Sequence, residues 1–264
     1  MSQAPIGAFD SGVGGLSVVL AIRQLLPGED LVYLADSAHC PYGDKPLEEI
    51  RELAFKAAEF LLERGSKLIV VACNTASAAA LADLRSRYPV PFVGMVPAVK
   101  PATLSTASRR VGVLATRATI QAELFADLLS QFAEGVEVYP QACPGLVELV
   151  EAGRTDLAHS EQLLRRYVEP LLEKGIDRLV LGCTHYPFLR ASIESIVGPA
   201  VSVIDSGAAI ARQVQRVLES RGALSNRGAV GVLRLHTSGD RELFKRTVRA
   251  LLDGRETFYE LADS

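Results

Sequence analysis

Little in this chain points to a disulfide framework, a metal, a membrane or a nucleic acid. Only four cysteines (Cys40, Cys73, Cys143 and Cys183) occur in 264 residues, and none forms a C-x-x-C pair. In a reducing compartment they are expected to be thiols. Four histidines (His39, His159, His185 and His236) are dispersed along the chain, without the spacing of zinc ligands. No stretch approaches the roughly 18 uninterrupted apolar residues of a membrane span. The start, "MSQAPIGAFDSG", has neither a charged segment ahead of an apolar one nor an arginine- and serine-rich presequence, so a cytoplasmic protein is expected. No basic run is present, and 28 basic against 31 acidic residues give a net charge of −3, which argues against nucleic acid as a primary partner. The glycines of "DSGVGGLS" match neither the dinucleotide fingerprint G-x-G-x-x-G nor the lysine-bearing phosphate loop.

What is present is an ordinary soluble composition, 48% hydrophobic and 22% charged, sufficient for a substantial core. Short β-branched runs begin at residues 6, 31, 67, 91, 110, 136, 178 and 201. Between them lie "EEIRELAFKAAEFLLERG", "QAELFADLLSQFAEG" and "EQLLRRYVEPLLEKG", apolar at helical spacing and each closed by a glycine. Such alternation predicts an α/β protein with mainly parallel sheets.

The strand runs also pair with one another. "GSKLIVVACNT" from Gly65 and "GIDRLVLGCTH" from Gly175 run in register at an offset of 110 residues, and "IGAFDSG" precedes "VGVLATR" by 105. One strand order written twice predicts two pseudo-symmetric α/β lobes. We expect the first over 1–97 plus 208–264 and the second over 98–207, with crossings near "VPAVKPAT" and near Asp205 to Ala208. Residues from "GAVGVLRLHTSGD" onward, which have no counterpart, are assigned to the first lobe. Because open parallel sheets bind ligands beyond the carboxyl ends of their strands, Asp10, Asp36, Cys73 and Cys183 all fall where an active site in a cleft between the lobes would be.

Two matched thiols on opposite walls of a cleft suit inversion at a carbon acid, in which one thiolate removes a proton and the opposing thiol returns one to the other face. Each cysteine is expected to end a strand and open a helix, whose N-terminus would lower the thiol pKa. Ser11, Asn74, Thr75 and Thr184 offer hydrogen bonds to a carboxylate, whereas Asp10 and His185 can hold an ammonium group or tune the thiols. Gly12, Gly14 and Gly15 would let the backbone approach a ligand. A lone cysteine is usually a small core residue, which is the reading for Cys40 and Cys143, and a carboxylate such as Asp36 or Glu151 is as often a cap or a cation's partner.

Taken together, "FDSGVGGLSV", "LADSAHCPYG", "ACNTASA", "PGLVELVEAG" and "GCTHYP" resemble the glutamate racemases of the cofactor-independent amino-acid racemase family. The resemblance implies a two-base racemisation of glutamate by Cys73 and Cys183 without cofactor or metal. It implies assistance from Asp10 and His185, with Glu151 a better candidate helper than Asp36. Substrate contacts carried over by position fall on Asp10, Ser11, Tyr42, Gly43, Asn74, Thr75, Thr184 and His185. The family further implies D-glutamate supply for peptidoglycan in a bacterial cytoplasm and a homodimer, and the five residues ahead of the first strand match its shorter, unregulated members.

Other classes fit less well. A two-lobed amino-acid binding protein has no need of facing thiols, and a thiol hydrolase or redox enzyme uses one nucleophilic cysteine and leaves the duplication unexplained. Within the racemase class, aspartate or hydantoin racemases are the alternative. A related decarboxylase would keep only one of the two cysteines.

Overall fold

The structure is a computed structural model and describes residues 3–252 and 259–262; the remainder of the expected first-lobe range, 1–2, 253–258 and 263–264, lies outside the described residues. In chain order the elements are β1 (Ile6–Asp10), α1 (Leu16–Leu25), β2 (Leu31–Ala35), α2 (Leu47–Glu63), β3 (Leu68–Val71), α3 (Asn74–Arg87), β4 (Phe92–Val93) and α4 (Val99–Ser105). Next come β5 (Arg110–Ala115), α5 (Arg117–Gln121), α6 (Glu123–Phe132), β6 (Glu137–Ala142), α7 (Leu146–Glu151), α8 (Leu157–Glu173) and β7 (Arg178–Leu181). The chain continues through α9 (Arg190–Val197), β8 (Ser202–Ile204), α10 (Gly207–Ser220), β9 (Leu233–Thr237), α11 (Arg241–Leu251) and β10 (Glu260–Leu261). The three helices read from sequence are α2, α6 and α8. Their closing glycines, Gly65, Gly135 and Gly175, have φ of 73°, 69° and 73°, the left-handed conformation that lets the chain reverse into the next strand.

Two sheets form, ordered β10-β9-β2-β1-β3-β4 and β6-β5-β7-β8, and every pairing is parallel. The four-strand order of the second repeats the inner order of the first. The repeat extends to register: Ile6 pairs with Leu68, and their counterparts at offsets of 105 and 110, Val111 and Arg178, also pair. The unmatched C-terminal segment joins the first sheet, where β9 pairs with β2. The fold is therefore two pseudo-symmetric α/β lobes.

Both faces of the first sheet are covered, as parallel sheets require. Ile6, Ala8, Leu31, Tyr33, Leu68 and Val70 belong to one core cluster, while the alternate residues Phe9, Val32, Leu34, Ile69 and Val71 pack in a second cluster with α2 and α3. The first cluster continues through Leu114, Leu146, Leu179 and Tyr186 of the second lobe, so the lobes share apolar packing. Where the chain passes between the sheets, Ser206 Oγ donates to Val96 O at 2.7 Å and ties the two crossings side by side. Among the described residues no helix is long and apolar enough to cross a membrane.

At the edge of the first sheet away from the carboxyl ends of its strands, Lys67 Nζ meets Glu29 Oε2 at 2.6 Å, with both side chains buried. Glu29 Oε1 also accepts from Ser225 N–H at 2.7 Å, so one carboxylate joins the segments ahead of β2, β3 and β9. Removing one member of a buried pair strands the other charge. Glu29→Gln is expected to lower stability in guanidinium unfolding by about 3–5 kcal/mol, whereas Glu29→Leu with Lys67→Met recovers most of the loss. A Glu29→Gln protein as stable as the parent would show that the pair carries no such strain.

Candidate active site

The parallel strands deliver their carboxyl ends to one cleft. Asp10 is the last residue of β1, and Cys73 and Cys183 each lie two residues beyond the equivalent strands β3 and β7. Ser11, Tyr42, Gly43, Cys73, Asn74, Thr75, Cys183, Thr184 and His185 line a common pocket, while Asp10 and Glu151 stand behind it. Of the sequence-derived candidates, Asp36 is the one held apart. Its Oδ2 accepts from Tyr42 Oη at 2.6 Å, and its Oδ1 accepts from Ser238 Oγ at 2.5 Å and contacts His39 Nδ1 at 2.9 Å. The Tyr42 hydroxyl proton is thereby committed to Asp36, and it is the Tyr42–Gly43 segment that faces the cleft.

The two thiols occupy matched positions in unlike surroundings. Cys73 caps α3 and accepts from Ala76 N–H at 3.4 Å. Cys183 opens no α-helix: a short 3-10 turn at Tyr186–Leu189 follows it, and α9 begins only at Arg190. The expectation that each cysteine opens a helix is thus corrected for Cys183. The expectation of a lowered pKa is corrected for Cys73. Burial and the neighbouring Asp10 carboxylate push its thiol well above the usual range, and the Ala76 N–H opposes them without prevailing. Burial and the Asp10 charge outweigh one helix end, so Cys73 rests protonated, with Asp10 as its hydrogen-bond partner.

Asp10 is itself fully buried, which raises its pKa against the opposing charge of His185 and the hydrogen bonds it accepts. Ser11 N–H donates to Oδ1 at 2.7 Å, and Thr184 Oγ1 donates to Oδ2 at 2.9 Å from the other lobe. On the second thiol's side, His185 Nδ1 lies 3.7 Å from Cys183 Sγ, and its Nε2 lies 2.7 Å from Glu151 Oε1, which also accepts from Val13 N–H at 2.7 Å. Burial alone would pull the His185 pKa down. Its contacts with Cys183, Cys40 and Glu151 overturn that and hold it well above the ordinary histidine range. Burial likewise works against the Glu151 carboxylate, but the His185 contact, its charge and the Val13 N–H keep it below its usual value.

The glycine cluster makes room for side chains of the site. A Cβ on Gly14 would lie 2.3 Å from His185 Nδ1, and one on Gly12 would lie 1.9 Å from Glu151 Oε1. Two further residues escaped the sequence reading. Thr116 and Thr119 line the pocket, and their hydroxyls lie 3.1 and 3.3 Å from Thr75 Oγ1 across the cleft. Their signal was available: at the 105-residue offset Thr116 is the counterpart of Ser11. All four cysteines are free thiols, Cys143 is a core residue, and half-buried Cys40 packs against the same core while also standing beside His185 and Glu151.

The Asn74 amide is buried with neither its oxygen nor its nitrogen partnered, an arrangement native proteins avoid unless a ligand or water completes it. The space it faces is about 10 Å³, barely enough for one water. The cleft is therefore tightly closed around that amide.

The His185–Glu151 contact fixes a pH window. The raised His185 pKa contributes stability that is complete below the unfolded value of about 6.5 and is lost as pH rises through the folded value. The lowered Glu151 pKa contributes stability that is present above its unfolded value and is lost as pH falls through the folded one. Glu151→Gln is expected to lower the His185 pKa in an NMR titration and to lose stability relative to the parent by an amount that shrinks as pH rises through the parent's His185 pKa. An unmoved His185 titration would mean that Glu151 does not govern its charge.

The chain is similar to known proteins over almost its whole length. The sequence pattern of the Asp/Glu/Hydantoin racemase family matches residues 15–214. A glutamate racemase from Ectopseudomonas mendocina is 54% identical over 252 residues, covering 95% of each chain. The crystal structure of a glutamate racemase from Bacillus anthracis superposes with a TM-score of 0.89 at 34% identity, over 100% of this chain and 98% of that one. That of a glutamate racemase from Francisella tularensis in complex with D-glutamate gives 0.84 at 30% identity, over 100% and 98%. With its two parallel-sheet lobes, and with similarity that spans almost its whole length, the chain belongs to the Asp/Glu/Hydantoin racemase family.

Proposed function

We propose that this protein is a glutamate racemase that interconverts L- and D-glutamate with two cysteines as the acid and base and no cofactor. The observation that carries the reading is the pair of thiols at topologically equivalent strand ends, each with its own proton partner: Asp10 beside Cys73 and His185 beside Cys183. In one direction the Cys73 thiolate takes the α-proton while Cys183 donates to the opposite face. In the other direction the roles exchange. Asp10 and His185 hold or release the proton of the adjacent sulfur, and Glu151 positions His185 and keeps it charged. Ser11, Asn74, Thr75, Thr184 and the backbone of Tyr42 and Gly43 bind the substrate carboxylates. The unpartnered Asn74 amide supports that assignment.

This reading takes the lobes as 1–97 plus 208–264 and 98–207. It places the protein in a bacterial cytoplasm as a homodimer supplying D-glutamate for peptidoglycan. Glutamate is preferred over aspartate because the Tyr42–Gly43 segment supplies backbone donors for the more distant carboxylate.

Chiral analysis after incubation with L- or D-glutamate should converge on one racemic mixture, and activity should survive dialysis against chelator. Comparable turnover of aspartate would move the assignment to another racemase of the family. In deuterated water the product should carry deuterium from the first turnovers while recovered substrate stays mostly unlabelled, because the incoming proton comes from the opposite, solvent-equilibrated sulfur. A single-base enzyme would return much of the original proton to the product. Cys73→Ala and Cys183→Ala should each lose inversion in both directions, by about 10²- to 10⁴-fold or more, with Cys143→Ala retaining activity. Near-parental racemisation by either of the first two would remove that cysteine from the mechanism.

A further inference from the structure

Cys40 has a place that the two-thiol reaction does not use. Its sulfur, a Glu151 carboxylate oxygen and a ring nitrogen of His185 all lie within 4.8 Å of one another, the one such trio of potential ligand atoms found among the described residues. These residues are far apart in sequence, so no ligand spacing announces them. The fold makes room for their convergence at Gly12, where a Cβ would lie 1.9 Å from Glu151 Oε1 and 3.0 Å from Cys40 Sγ. Two of the three also reach water. Cys40 and Glu151 form part of the wall of a cavity of about 330 Å³ that is shared with Val13, Ser37 and Pro41 and is separate from the pocket between the two catalytic thiols.

One sulfur, one imidazole nitrogen and one carboxylate oxygen form a borderline-soft donor set. Zinc takes such sets with three protein ligands and an open fourth position, at about 2.0–2.3 Å from each. Calcium and magnesium prefer oxygen throughout. Ligands around a tetrahedral zinc stand roughly 3–4 Å apart. Small side-chain shifts bring the trio to that spacing, with the 2.7 Å contact between Nε2 and Oε1 opening as the cation replaces the proton between them.

We propose that Cys40, Glu151 and His185 Nε2 form an inhibitory site for zinc and cations of its class, with water from the adjacent cavity as the fourth ligand. On binding, the Cys40 thiol and the imidazolium Nε2 each give up a proton to solvent. The local charge balance is preserved, since a dication, a thiolate and a carboxylate replace an imidazolium and a carboxylate. What is lost is the exchangeable charge of His185. Its remaining N–H, on Nδ1, still faces Cys183, but the ring can no longer cycle between protonation states as that sulfur gains and loses its proton. The site's geometry stands independently of the racemase reading, and only its inhibitory consequence rests on that reading.

The test uses the full chain, stripped of metal by chelator, titrated with zinc by calorimetry and with cobalt(II) by absorbance. The parent protein is expected to bind one cation per chain and to show a thiolate-to-cobalt charge-transfer band. Cys40→Ala should lose that band and bind at least about tenfold more weakly, the least that even an outer partner of a metal site contributes. Cys143→Ala should bind as the parent does. Zinc should inhibit glutamate racemisation by the parent, reversibly on adding chelator, and its half-inhibitory concentration should rise at least tenfold in Cys40→Ala, each protein being measured against its own zinc-free rate. No binding by the parent, or binding unaffected by Cys40→Ala, overturns the site. Binding through Cys40 that leaves racemisation unaltered overturns its inhibitory role. If neither enantiomer of glutamate is turned over, the racemase reading fails, while the cobalt spectrum still decides the site.

Discussion

A charged imidazole that is 1% exposed is costly unless compensated, and the cleft is organised around neutralising it. His185 carries its charge because Glu151 faces Nε2 and the Cys183 sulfur lies beside Nδ1. Each supporting contact comes from a different segment. Val13 N–H, in the glycine-rich turn after β1, orients the carboxylate, and Thr247 Oγ1 of α11 donates to the Glu151 carbonyl at 2.8 Å. Gly14 gives the ring its space. One contact between a second-lobe histidine and a second-lobe glutamate is thus held in place by the first lobe, so its integrity depends on the closed arrangement of the two.

The duplication explains why two thiols stand at equivalent points, and divergence explains why they do not behave alike. At offsets of 105 and 110, Asp10 of the first lobe corresponds to Ala115 of the second, and Thr75 corresponds to His185. Each lobe therefore keeps one ionisable partner for the pair. Asp10 meets Thr184 from the opposite lobe, at 2.9 Å, as well as the thiol of its own. The cleft is left with one acidic end and one basic end instead of two copies of either. A perfectly symmetric site would confront two buried carboxylates or two buried imidazoliums, and like charges at close range in a dry cleft repel strongly.

Much of this was legible in the sequence because it is written in periodicity. Helices α2, α6 and α8, the mainly parallel sheets and the repetition of one strand order in both lobes follow from apolar spacing, closing glycines and the internal offset, and the segment carrying β9 goes to the first lobe because it has no counterpart. Electrostatic surroundings were less legible. The sequence places Cys73 at a helix N-terminus, and this suggests a lowered pKa, but it does not record that Asp10 and full burial act on the same sulfur with larger effect. The glycines after β1 show that something approaches closely without showing that the visitors are His185 and Glu151. Cys40 read as a core thiol because its neighbours at positions 151 and 185 are brought to it only by the closing of one lobe on the other.

Under the proposed two-thiol reaction, the raised Cys73 pKa looks at first like an obstacle to base catalysis, since it makes the thiolate scarce. Removing a proton from the α-carbon of an amino acid, however, requires a strong base, and basicity rises with the pKa of the conjugate acid. A thiolate at home in water would be plentiful and weak. A thiolate in a cleft with space for about one water is rare and strong, and the Asp10 carboxylate beside it can accept the thiol proton when substrate arrives. The arriving ammonium adds positive charge close to the sulfur and so lowers the cost of ionisation at the moment the base is needed. On that reading the tight cleft serves two ends at once: it keeps water from the base, and it holds Thr184 and His185 against first-lobe residues such as Asp10 and Val13.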